Sequence, residues 1–148
     1  MIFRQIISNK VAIAAILAWM IAQGLKFPLK YVLDREWDWT IMFSSGGLPS
    51  SHSALVTAVA LTIGYVDGFD TSMFALACAI GLIVIYDAAG VRRQAGIHAE
   101  RINEIMKNFI ESRHFEQNDL KEMLGHTPFE VISGVLLGLI IGFAVIFW

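Results

Sequence analysis

The distribution of charge along this chain leaves few folds open. Residues 11–25, 53–66, 73–86 and 131–148 contain no Asp, Glu, Lys or Arg. A lipid-facing segment must satisfy its own backbone N–H and C=O groups, and an apolar run does so as a helix. Only 16% of the residues are charged, 56% are hydrophobic, and mean hydropathy is +0.61. A soluble domain of this size carries more charge. The chain therefore reads as all-α, an integral membrane bundle of about four transmembrane helices. The first run ends in Gln23-Gly24-Leu25-Lys26 without a small-x-small cleavage pattern. It is expected to stay as a helix and not to leave as a signal peptide.

The middle two runs are shorter than the roughly 20 residues that cross a bilayer. They are rich in Gly and Ala, which suits close helix contact, and a re-entrant path is the alternative. Between the third and fourth runs lies a polar stretch. Within it, over residues 99–115, Ile102, Ile105, Met106, Phe109 and Ile110 recur at spacings of three and four, the pattern of an amphipathic helix. Such a helix lies along the membrane surface or caps the bundle. A short helix is expected at 118–124, with Asn118 as its cap and Gly125 as its stop. No repeat or linker divides the chain, so residues 1–148 form one domain.

Four crossings place both long polar loops on one side. That side holds nine of the eleven Lys and Arg residues, against Arg4 and Lys10 on the other. The positive-inside rule then puts the loops, with the amphipathic helix, in the cytoplasm of a multi-pass protein of the cell (inner) membrane. Net charge is −2, so no basic surface argues for nucleic acid. Cys78 sits inside an apolar run and reads as a core residue. His98, Glu100, His114 and Glu116 do not follow a metal-ligand spacing and read as a solvated helix face. Trp37, Trp39 and Trp148 fit an interfacial aromatic belt.

Two segments carry chemistry. Gly46-Gly47-Leu48-Pro49-Ser50-Ser51-His52-Ser53 places a flexible, proline-stopped loop at a helix start. Unsatisfied N–H groups there favour an anion, the Ser50 and Ser51 hydroxyls add donors, and His52 can give or take a proton near neutrality. The plainer reading is a serine-capped helix. Gly125-His126-Thr127-Pro128-Phe129-Glu130 sets His126 and Glu130 four apart on one face. The carboxylate can hold one imidazole nitrogen and leave the other as a nucleophile. The plainer reading is a capping Thr-Pro pair with a surface ion pair.

These residues resemble a known superfamily. Pro49-Ser50-Ser51-His52 is similar to the second signature, Pro-Ser-Gly-His, of the type 2 phosphatidic acid phosphatases and vanadium haloperoxidases. The segment from Gly125 to Gly134 resembles the end of their third signature. Together with Tyr86-Asp87-Ala88-Ala89-Gly90-Val91-Arg92, the set resembles the divergent branch of that superfamily over nearly the whole length. The resemblance implies a membrane lipid phosphatase that acts on a phosphomonoester or pyrophosphate through a phosphohistidine. It implies His126 as nucleophile with Glu130 in the carboxylate role, and His52 as general acid. Ser50, Ser51, Lys26 and Arg92 or Arg93 would bind phosphate. No cofactor is required by that mechanism.

The match has gaps. The Arg-Pro pair of the first signature is absent, with Arg35 its nearest substitute. Ser51 replaces Gly and Glu130 replaces Asp. The stretch between Arg92 and His126 is far longer than the family's spacing. A second class of function is therefore kept, a non-catalytic membrane protein that binds anionic lipid or phosphate as a scaffold or regulator. A transporter is weaker, because the charges cluster at one end.

Two features stay open. Asp87 ends the third run, where a carboxylate at membrane depth suggests function; it could orient Arg92, Arg93 or Lys26, or hold a divalent cation. Gly134, Gly138 and Gly142 repeat at fours, a stripe for close helix contact within the bundle or in a homodimer.

Overall fold

The structure, a computed structural model, describes Gln5 and residues 8–35, 46–110 and 126–148. The expected helix at 118–124, and the end of the amphipathic helix at Phe115, lie outside the described residues. Every described element is a helix: α1 (Lys10–Asp34), α2 (Ser51–Asp67), α3 (Ser72–Ala89), α4 (Val91–Ile110) and α5 (Pro128–Phe147). Three stretches, Lys10–Val32, Ser72–Lys107 and Pro128–Phe147, are long and apolar enough to cross a membrane.

Each helix start has a local cause. The Asn9 side chain accepts from the N–H groups of Val11 and Ala12 at 3.0 and 3.1 Å. Ser50 caps α2 and Thr71 caps α3 in the same way. Helix α5 opens on Pro128, whose missing N–H costs nothing in a first turn.

Helix α1 is longer than the apolar run. It continues through Gln23, Lys26, Pro28 and Lys30 and ends only at Arg35, whose N–H reaches the Tyr31 carbonyl from a left-handed φ of 60°. The polar residues after Leu25 suggest a helix end, yet Lys26 is 1% exposed, so its charge faces protein and not water. Pro28 removes the N–H that would bond the Gly24 carbonyl, a loss that spanning helices tolerate when packed. Helix α4 also differs from expectation. It starts at Val91, directly after the single break at Gly90, and not at Ala99. Residues 91–98 have too few apolar side chains to show periodicity, but the chain remains helical there.

Helix α2 is the centre. It packs on α1, α3 and α5, while α4 packs on α3 alone among the described residues. With 17 residues, α2 is about 25 Å long, shorter than a bilayer core of about 30 Å. Its neighbours enclose it, so its own length need not match the membrane. The core is made of small residues: Ala14, Ala18 and Ala22 of α1, Ala54 and Ala58 of α2, with Ile141 and Val145 of α5. Without a hydrophobic force between helices in lipid, close backbone approach must supply the contact, and small residues permit it.

The glycine stripe lies on this seam. A Cβ on Gly138 would stand 2.8 Å from the Thr57 Cβ, one on Gly134 2.9 Å from the Ser53 Cβ, and one on Gly142 2.9 Å from the Leu61 Cδ2. The stripe therefore contacts α2 inside the chain, and a homodimer would have to use another surface. At the far end, the Lys10 Nζ donates to the Ile146 carbonyl at 2.9 Å, a cation on a helix C-terminus.

Candidate active site at the helix ends

The seam brings the two chemical segments to the same end. The Ser50 N–H donates to the Glu130 carbonyl at 3.0 Å, which joins the start of α2 to the first turn of α5. The His126 N–H donates to the Ala88 carbonyl at 3.2 Å, which joins the segment leading into α5 to the end of α3. Three helix termini are thus tied by backbone, and the side chains inherit their register.

The two histidines meet there. Their ring centroids are 6.4 Å apart and the planes cross at 64°. His126 is buried, with 2% exposed, whereas His52 is exposed. The Nδ1 of His126 faces the Glu130 Oε2 at 4.0 Å. That is an ion-pair separation and too long for a hydrogen bond. Nδ1 is turned to the carboxylate, and Nε2, the other ring nitrogen, is buried.

Glu130 has a second task that the spacing of Thr127 and Glu130 made readable. Its Oε2 accepts from the Thr127 N–H at 3.0 Å, while the Thr127 hydroxyl accepts from the Glu130 N–H at 3.3 Å. This reciprocal capping box fixes the carboxylate beside His126. The plainer reading of this segment is therefore present in the structure, and it does not compete with the chemical one.

Lys26 enters from α1. It is buried, and its ammonium feels the Glu130 carboxylate. A cation, two imidazoles and a carboxylate so gather at one end of the bundle. Ser50 and Ser51 are buried beside them. The Ser50 oxygen accepts from the Ser53 N–H at 3.4 Å and from the Ser53 hydroxyl at 3.0 Å, so it is held as a helix cap. Arg92 and Arg93 fall in the first turn of α4, and their side chains are outside what the structure describes. Asp87 is half-buried in the last turn of α3 and lines a cavity together with His52, a proximity across helices that spacing along the chain does not reveal. Among the described residues no group of three or more His, Cys, Asp or Glu side chains is disposed to hold a metal ion. His98 is exposed on α4, away from any such group.

Comparison with known proteins gives the family. Residues 7–141 match the Divergent PAP2 family. The chain is also similar to the uncharacterized membrane protein YuiD of Bacillus subtilis (strain 168), at 36% identity over 93% of this chain and 94% of that protein. No solved structure matches it. The chain belongs to the Divergent PAP2 family.

Proposed function

We propose that this family member is a membrane lipid phosphatase, which hydrolyses a phosphomonoester or pyrophosphate at the cytoplasmic end of the bundle. The observation that carries the reading is the pair His52 and His126, 6.4 Å between ring centroids, with Glu130 near His126 and the buried Lys26 near Glu130. One phosphoryl group can lie between two imidazoles at that separation.

The chemistry follows from the positions. The His126 Nε2 attacks phosphorus, the N–P bond forms as the P–O bond to the leaving group breaks, and His52 gives its proton to the departing oxygen. Water then attacks the phosphohistidine, gives a proton back to His52, and releases inorganic phosphate. Lys26 offsets charge on the equatorial oxygens, with Arg92 or Arg93 as further cations and the Ser50 and Ser51 region as the wall of the pocket. Electrostatic stabilisation of this kind carries most of phosphoryl transfer. Glu130, at ion-pair distance from Nδ1, stabilises the His126 cation. The mechanism asks for no cofactor.

The test is phosphate release by His126→Ala from short-chain phosphatidic acid, phosphatidylglycerophosphate and polyprenyl pyrophosphate. A loss of at least about 1,000-fold is expected, since the covalent route is removed. Wild-type activity in the variant refutes the nucleophile. One observation favours the second reading, a non-catalytic binder of anionic lipid. The Glu130 oxygen is engaged by the Thr127 N–H and stands 4.0 Å from His126, without a direct bond. Anionic lipid copurifying with a chain inert toward all three substrates decides for that reading.

A further inference from the structure

The proposed chemistry leaves Asp87 without a task. It sits in the last turn of α3 at the polar end of the bundle. It lines a cavity of about 200 Å³ whose other walls are His52, Ile83, Val84 and Ala88. Ile83, Val84 and Ala88 bring only aliphatic side chains, so the His52 imidazole and the Asp87 carboxylate are the two polar side chains of this wall. The register is fixed, because the adjacent Ala88 carbonyl accepts the His126 N–H at 3.2 Å. A carboxylate at this depth is costly unless a partner of opposite or donating character offsets it.

The other charged and titratable groups near His52 among the described residues come from three helices. From the α5 side come His126, at 6.4 Å between centroids, and Glu130, held by Thr127 and facing His126. From α1 comes Lys26, beside Glu130. From α3 comes Asp87 alone among the described residues that line the cavity.

We infer that Asp87 is the positioning residue of His52, its carboxylate holding one ring nitrogen so that the other points at the leaving oxygen of the bound phosphoester. Each histidine then has its own carboxylate. Glu130, in the first turn of α5, serves His126 just ahead of that helix, and Asp87 serves His52 from a neighbouring helix. The nitrogen that faces the carboxylate carries a proton throughout, which fixes the tautomer of the neutral ring. Asp87 itself gains and loses no proton. The catalytic meaning of this pair rests on the phosphatase reading, while their place on one cavity wall does not.

Two measurements test it on the full chain in non-ionic detergent. The first needs no substrate. Ring ¹⁵N shifts are recorded on protein labelled at its four histidines, with the His52 signals assigned by their loss in His52→Gln. In wild type the neutral His52 ring is expected as one tautomer. In Asp87→Ala it becomes a mixture, in Asp87→Glu it stays single, and His126 is unchanged in both. Asp87→Ser, too short to hold the ring, is expected to match Asp87→Ala and serves if the alanine variant does not fold. A tautomer mixture in wild type, or an unchanged single tautomer in the alanine or serine variant, overturns the inference.

The second measurement reads the leaving group. Asp87→Ala should lower kcat about 10- to 100-fold on an alkyl phosphate, where the acid matters, and less than about threefold on a nitrophenyl phosphate, whose leaving group needs no proton. Equal losses on both overturn the positioning role. A chain inert toward phosphoesters whose His52 tautomer still depends on Asp87 keeps the pair and removes the phosphatase. An active enzyme whose His52 ignores Asp87 keeps the phosphatase and removes the pair.

Discussion

Helix α2 has two unlike sides. Toward α5 it meets a glycine at every turn, so closely that a single added carbon would collide with the Ser53 and Thr57 side chains. Toward α3 it is loosely filled. Apolar cavities of about 400 and 210 Å³ flank that contact, and a Cβ on Gly81 would meet Val56 at an ordinary 3.8 Å. The difference separates two jobs. The tight seam sets the register of the Ser50 and Glu130 backbones, and through it the distance between the histidines. The loose side carries Asp87 and leaves most of α3 facing outward, where lipid can fill the gaps.

Substitutions at equivalent-looking glycines break this comparison. Gly138→Ala and Gly134→Ala push a methyl group into the backbone and side chains of α2 and should cost about 3 kcal/mol, seen as lost thermal stability in detergent. Thr127→Ala removes half of the capping box. It should cost about 1 kcal/mol and, by loosening Glu130, lower activity more than stability, which a comparison of unfolding with phosphate release checks. Gly81→Ala sharpens the contrast. Its methyl has room, so the helix gains up to about 1 kcal/mol from alanine's better propensity, and the unfolding temperature should rise slightly. If Gly81→Ala costs as much as Gly138→Ala, the two sides of α2 are not different and the seam has no special role.

Some of this was legible in the sequence for physical reasons. A helix that lacks charge announces itself, and α3 begins at Ser72 where the run 73–86 points. The expected four crossings put Lys26, His52 and His126 at one end; the structure has three helices long and apolar enough to cross and brings these residues to one end of the bundle. The capping box was readable from Thr127, Pro128 and Glu130, because it is a contact within one turn. What stayed hidden needed neighbours. Lys26 looks like a solvated helix end until Glu130 is seen beside it. The glycine stripe signals a close contact but not its partner, since Ala54, Ala58 and Ser50 look like any other small residues. Asp87 comes to the same cavity as His52 only through the register of α3 on α2, which no spacing within one segment encodes.

The central claim is that phosphorus is transferred to His126 and protonation is managed by His52. The most direct measurement uses His52→Gln with a ³²P-labelled nitrophenyl phosphate, quenched in base. The good leaving group lets the first step proceed without the acid, and the missing base slows the second. The account predicts a base-stable, acid-labile label that maps to His126 and disappears in the double variant with His126→Ala. Label on any other residue, or steady phosphate release by the double variant at the rate of His52→Gln alone, contradicts it.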